Sequence, residues 1–406
     1  MNINRVILVT IIFFTPVCYS LAQKTGAMLK VIELGMSVAE KQSVIMAKSM
    51  VGDAQLLPRS TDHNGELITS DASWWCSGFF PGVLWYLYAN NPSAVLKKWA
   101  ENYTYRVENQ KYTTDNHDIG FIIFCSFGNG YRLTRHMRYR EVIDSACMSL
   151  CTRYNPIVKA IRSWDFNKDI WQFPVIIDNM MNLDMLMWAS QELDNKYYAE
   201  VAVNHAKTTL KNHFRLDHSS YHVVSYDTIT GAPHIKQTFQ GYSDSSSWSR
   251  GQAWGLYGYT MMYRYTRDEE FLKQAKNIAE FIIHHPRLPK DKIPYWDFDA
   301  PNIPDAYRDA SAGAIICSAL IELSTFVERD LSKKFLTVAE EQLRTLSSPD
   351  YLAKPGTNGG FILKHSVGYL RANSEVDVPL AYADYYYVEA MTRYKNLYLE
   401  QYKKHL

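Results

Sequence analysis

Charge imbalance is the first thing missing from this chain. Its 43 Lys and Arg are met by 42 Asp and Glu, a net charge of +1 over 406 residues. A partner held by its phosphate backbone calls for a basic excess, so no nucleic-acid partner is expected. Beyond the N-terminus no uninterrupted apolar run is long enough to span a bilayer, so no membrane span is expected. A disulfide framework is missing too. Of six cysteines, Cys18 falls in the N-terminal segment described below. The others, Cys76, Cys125, Cys147, Cys151 and Cys317, are odd in number and lie in apolar surroundings, which reads as buried thiols. Cys147 and Cys151 have no His or Cys nearby to complete a metal site. The chain also lacks HExxH, a phosphate-binding glycine loop, a dinucleotide fingerprint and GxSxG. Linkers, low-complexity tracts and short repeats are absent as well.

What is present is apolar and aromatic: 47% hydrophobic and 14% aromatic residues, with ten Trp and 29 Tyr. That supports a large core. It also supplies flat rings with polar tips, which suit sugar surfaces as well as packing. The first residues carry Arg5, an apolar run from Val6 to Phe14, and Ser20-Leu21-Ala22 as a small-x-small cleavage site. This is the pattern of a secretory signal peptide over residues 1–22, with the mature chain starting near Gln23 and a periplasmic location. Lipid anchoring through Cys18 is the weaker alternative, since Thr15-Pro16-Val17 suits a lipidation site poorly.

Helical periodicity dominates the rest, and strand signals are few. Phe271, Leu272, Ala275, Ile278, Ala279, Ile282 and Ile283 fall on one helical face between Asp268 and His284. In all, the patterning predicts about twelve helices. Asn179 to Leu193 and Gly251 to Tyr265 are apolar all round, whereas Tyr197 to Phe214 and Asp268 to His284 are amphipathic. Inner and outer helices thus alternate, as an α/α toroid requires, in one domain over residues 23–406. The long connections 216–249 and 285–309 are the kind that carry function.

Four stretches put polar groups among aromatics. In DNHDIGFIIFCSFGNG, His117 and Asp118 enter the apolar run Ile119 to Phe127, read as a helix. A charge there is costly unless paired or used, though a carboxylate favouring a helix N-terminus would look the same. In WQFPVIIDNMMNLD, Asp178 lies between Ile177 and a Met-rich helix. Desolvation there would raise its pKa toward that of a general acid; an N-cap is the bland alternative. In GYSDSSSWSRGQAWG, Arg250 sits between Trp248 and Trp254. It suits a bidentate carboxylate clamp, or else an internal ion pair or cation–π stack. The fourth stretch, Lys364 to Gly368, is a polar loop before the last helix. His222, Trp75 and Trp164 are single residues for which packing competes with a binding role.

Taken together, WCSGFFPG, HDIGF with SFGNGYRL, IDNMMNL, WSRGQAWGLYG, RDASAGAI, and KHSVG with EVDVPLAYADYYYVEA resemble glycoside hydrolase family 88, the unsaturated glucuronyl hydrolases. These pieces span about residues 75 to 390, nearly the whole mature chain. The resemblance implies an all-α (α/α)6 barrel. It implies a substrate left by polysaccharide lyases: an acidic oligosaccharide with a 4,5-unsaturated uronic acid at its non-reducing end. Asp178 would be the general acid and base, protonating C4 and delivering water to C5; the hemiketal then opens and the glycosidic bond falls apart. This is hydration, so the spacing rule for paired glycosidase carboxylates does not apply. Asp118 would be the supporting carboxylate. His117, Trp75, Trp164, His222, Arg250 and Trp254 match substrate-lining positions. Ser366 and Lys364 lie in the loop that meets the next sugar, where a Lys hints at a sulfated partner. No metal or organic cofactor is called for by this chemistry. The family 105 unsaturated rhamnogalacturonyl hydrolases are the nearest rival, disfavoured by IDNMMNL and KHSVG. A non-catalytic acidic-sugar-binding protein would need neither Asp118 nor Asp178.

Overall fold

The computed structural model describes residues 16–53 and 55–399. The expected leader's Arg5 and its apolar run to Phe14 lie outside the described residues. Among the described residues there are twelve α-helices: α1 (Pro16–Ser49), α2 (Phe79–Asn90), α3 (Ala94–Arg106), α4 (Asn129–Thr134), α5 (Met137–Cys151), α6 (Asn179–Glu192), α7 (Lys196–Asn212), α8 (Ser249–Thr266), α9 (Glu269–His284), α10 (Ala310–Leu323), α11 (Arg329–Leu346) and α12 (Ala381–Tyr394). The predicted apolar helix from Ile119 is a π-helix, Gly120–Gly128, that runs directly into α4. Together they act as one inner helix.

Six inner helices close a ring, α2, the π-helix with α4, α6, α8, α10 and α12, with α12 returning to α2. The outer helices α3, α5, α7, α9 and α11 each pack on the inner element beside them, and α1 covers α12 and α2. The fold is the α/α toroid expected from the helix pattern, in the (α/α)6 form that the resemblance implies. Its logic is visible residue by residue. All of α10 is buried, which its small and branched residues allow in the crowded inner ring. Outer α9 buries only one stripe, Phe271, Leu272, Gln274, Ala275, Ile278, Ala279 and Ile282; each large apolar side chain there contributes about 1.5–3 kcal/mol. Asp268 caps that helix by accepting the Glu270 N–H at 3.0 Å. A Cβ at position 78 would collide with the carbonyl oxygens of Phe121 and Ile122, so the glycine of WCSGFF lets the first inner helix approach the π-helix.

The long connections are not bare loops. Several connections fold into short ribbons, β1 (Leu57–Thr61) with β2 (Leu67–Ser70), β3 (Tyr154–Asn155) with β4 (Ala160–Ile161), β5 (Pro174–Ile176) with β6 (Val223–Tyr226) and β7 (Pro233–Gln237), and β8 (Ser366–Tyr369) with β9 (Ser374–Val378), while 285–309 is tied by the isolated bridges Trp248–Asp297 and Tyr295–Arg308. Strands of two to five residues are too short to show an alternating pattern in sequence. The ribbons gather over the N-terminal ends of the inner helices: β5 leads into Asp178, and β8 bonds Arg250 at the start of α8.

Candidate active site

Asp118 and Asp178 enter the barrel from neighbouring inner helices. Asp178 occupies the cap position of α6, yet its backbone is helical (φ −55°, ψ −30°) and its side chain makes no capping bond. The capping alternative therefore fails. Oδ2 of Asp178 is buried without a hydrogen-bond partner among the described residues. Burial pushes its pKa up to about 7, opposed by the Arg250 charge and by N–H groups of its own backbone and of the Trp254 indole. Asp118 is pushed up to about 8, by burial first and by the charge of Asp178 second. Both carboxyls thus titrate well above the ordinary carboxylate range, and the charge of Asp178 links the ionisation of Asp118 to its own.

Each carboxyl faces one imidazole. His222 Nδ1 accepts the backbone N–H groups of Phe239 (3.0 Å) and Gln240 (3.1 Å). Its proton is therefore on Nε2, which lies 3.7 Å from Asp178 Oδ2. The β5–β6 pairing makes this contact: Ile176 opposes Val223, and Ile177 donates its N–H to the His222 carbonyl. His117 is arranged the same way. Asn182 Oδ1 accepts the Phe121 N–H at 2.9 Å, which turns the Asn182 amide nitrogen toward His117 Nδ1 at 3.5 Å. His117 Nε2 then carries the proton, 3.5 Å from Asp118 Oδ1. Burial holds both imidazoles neutral, His117 at about 3 and His222 well below its ordinary value.

The aromatic walls are Trp75 and Trp164. Half-buried Trp75 packs against Tyr382, Phe121 and Phe79. Trp164, also half-buried, lies in a cluster with Phe166, Trp171, Phe239 and His222. Each keeps part of its side chain accessible.

Four expected residues are placed differently. Arg250 is 1% exposed, and its fork is already committed. It donates to Asp309 Oδ2 (3.1 Å) and to the carbonyls of Val367 and Gly368, over the Trp248 ring at 4.5 Å. These contacts are the internal ion pair and cation–π stack offered as the alternative to a clamp. Trp254 is fully buried against Phe121 and Tyr386. Ser366 is fully buried, its hydroxyl accepting the Ser311 N–H at 3.2 Å. Lys364 donates to the Pro349 carbonyl at 2.8 Å and lines a surface depression with Asp291, Arg308, Asp350 and His365 that shares no residue with the carboxylate pair. Alternation along β8 and its approach explains this: the side chains turn to α10 and to the outside, and the backbone turns to Arg250.

The sequence reading passed over Asn182, Phe239, Gln240 and Tyr369. Asn182 had one available signal, its position four residues after Asp178 on the same face of an inner helix. Gln240 donates to the Gly368 carbonyl at 3.1 Å, and Phe239 packs on Tyr369 at 4.9 Å. These contacts join two ribbons far apart in sequence.

An (α/α)6 barrel whose inner-helix entrances present two desolvated carboxyls, two neutral imidazoles and half-buried tryptophans suits acid–base chemistry on a sugar. The sequence pattern of Glycosyl Hydrolase Family 88 matches residues 50–397, and the chain belongs to that family. It is 49% identical to an unsaturated glucuronyl hydrolase of Formosa agariphila, over 80% of this chain and 81% of that one. An unsaturated chondroitin disaccharide hydrolase of Streptococcus pneumoniae is 33% identical over 80% and 82%. Among solved structures, an unsaturated glucuronyl hydrolase specific for heparin superposes with a TM-score of 0.88 at 47% identity, covering 91% of this chain and 98% of that one. The unsaturated glucuronyl hydrolase of Streptococcus agalactiae gives 0.83 at 30% identity, covering 90% and 91%.

Proposed function

We propose that this protein removes the 4,5-unsaturated uronic acid from the non-reducing end of lyase-generated oligosaccharides, and that its substrates are glycosaminoglycan-type fragments. The observation that carries this is the pair of desolvated carboxyls with raised pKa values, each faced by an imidazole Nε2–H, in a chain of this family. Relatives named for unsaturated glucuronyl, chondroitin disaccharide and heparin substrates support the substrate class.

The residues divide the work. Protonated Asp178 delivers its proton to C4 of the C4=C5 enol ether, and positive charge develops at C5 beside the ring oxygen. The resulting carboxylate takes a proton from water as that water adds to C5. Ring opening of the hemiketal releases the aglycone. The Nε2–H of His222 faces Asp178 from 3.7 Å and favours its charged form as that form develops. Asp118, oriented through His117, faces the developing positive charge and holds sugar hydroxyls. Trp75 and Trp164 offer ring faces to the sugars. Two solved S. agalactiae structures are Asp→Asn variants whose positions are separated by the same number of residues as Asp118 and Asp178, which supports this pair as the one to test. The test is Asp178→Asn: the enol-ether ultraviolet absorbance of an unsaturated disaccharide is consumed by the wild type and persists with the variant. Turnover by the variant at the wild-type rate would remove Asp178 as the acid.

Arg5, the apolar run to Phe14 and Ser20-Leu21-Ala22 support export to the periplasm. N-terminal sequencing of the protein from fractionated cells is expected to begin near Gln23; a start at Met1 in the cytoplasmic fraction would refute export.

A further inference from the structure

With Arg250 committed internally and Lys364 and Ser366 turned elsewhere, an anionic substrate needs another cation at the mouth. Arg59 is placed for it. It stands on β1, the ribbon strand that packs beside β9 and α12. Its Nε donates to Glu375 Oε1 at 2.6 Å, and its guanidinium carbon lies 3.9 Å from the centroid of the Trp74 ring. That ring is itself 37% exposed. Salt bridge and stack fix the plane of the guanidinium and use only its Nε edge. The two terminal nitrogens have no partner among the described residues, and the side chain stays 23% exposed. An oriented guanidinium with a free outer edge is the geometry that takes two oxygens of one oxyanion.

The place is the rim of the pocket. Trp74 adjoins Trp75. Glu375 packs directly against Gly368, whose carbonyl accepts from Arg250 and Gln240. The Tyr382 ring links Arg250 to Trp75, lying 5.3 Å from the Arg250 guanidinium carbon and 4.7 Å from the Trp75 ring. On the proposed reading the unsaturated uronate occupies the floor between Asp118 and Asp178. A group at the rim then meets the sugar that follows it.

We infer that Arg59, stacked on Trp74 and braced by Glu375, binds an oxyanion substituent, sulfate or carboxylate, on the sugar next to the unsaturated uronate, and so sets the preference for charged fragments. This rests on the hydrolase reading above.

The experiment measures kcat and KM of the full chain and of Arg59→Ala on three unsaturated disaccharides. Their second sugars bear a sulfate, a carboxylate or neither. In Arg59→Ala, KM is expected to rise about 10- to 100-fold on the anionic substrate that Arg59 holds, the loss of a charge-assisted pair. kcat stays unchanged, and KM on the neutral disaccharide moves less than about twofold. The anionic arm that responds identifies the substituent. Arg59→Lys keeps the charge and loses the fork, so it gives a smaller rise on the same substrate and serves if the alanine variant folds poorly. An equal KM rise on all three substrates, or no rise on either anionic one, overturns the inference. Wild-type protein that turns over none of them overturns the hydrolase reading instead.

Discussion

Asp178→Asn is expected to cost the protein its activity and to make it more stable at alkaline pH. Burial raises the Asp178 pKa from 3.8 to about 7, so the folded state binds its proton more tightly than the unfolded chain does. Below pH 3.8 both states hold the proton and the site costs nothing. As pH rises toward 7 the unfolded chain gains by ionising first, and wild-type stability declines relative to the variant. Above pH 7 the difference is complete. A rise of that size corresponds to about 4 kcal/mol, taking roughly 1.36 kcal/mol for each pH unit between the two pKa values. The side chain keeps 13% exposure, and water reaching it trims this to about 2 kcal/mol. Urea unfolding of both proteins at pH 4 and pH 8 reads the quantity directly, because the change in the difference between the two pH values cancels any pH-independent effect of the amide. A stability difference that is the same at both pH values would refute a desolvated, proton-holding Asp178.

Other perturbations separate structural from chemical roles. Arg250→Ala leaves Asp309, 0% exposed, as a buried charge without its cation. It should destabilise the fold by about 3–5 kcal/mol, seen in the urea midpoint; an unchanged midpoint with a raised KM would restore Arg250 as a substrate clamp. Asn182→Asp puts an acceptor opposite His117 Nδ1 and moves the imidazole proton away from Asp118. kcat should fall about tenfold or more and its pH profile shift, whereas a merely structural Asn182 would lower stability and leave the profile in place.

The barrel was legible because it rests on local information. Apolar positions spaced at 3.6 residues, all-round burial in α6, α8 and α10, and amphipathic α7 and α9 declare inner and outer helices without any knowledge of neighbours. The carboxylates were legible for the same reason: Asp118 and Asp178 are charges at the entrances of apolar helices. What stayed hidden depends on contacts between distant segments. Nothing around Arg250 announces that Asp309 and the carbonyls of Val367 and Gly368 close on its fork. A strand of four residues, β8, does not show in sequence that Ser366 faces inward and Lys364 away. The cap and the general acid look alike at the start of a helix, and only the helical backbone at Asp178, with no capping bond, separates them. The π-helix at Gly120 is likewise a tertiary product, since the Phe121 N–H leaves its own helix for Asn182.

Hydration of the C4=C5 bond, with the proton entering at C4, is the central claim. It is tested most directly by running the reaction on an unsaturated disaccharide in deuterium oxide and following the product by proton NMR from the first turnovers. The account predicts one deuteron at C4 on a single face, appearing in step with aglycone release and absent with Asp178→Asn. Aglycone release with no deuterium at C4 would contradict it and point to cleavage at C1.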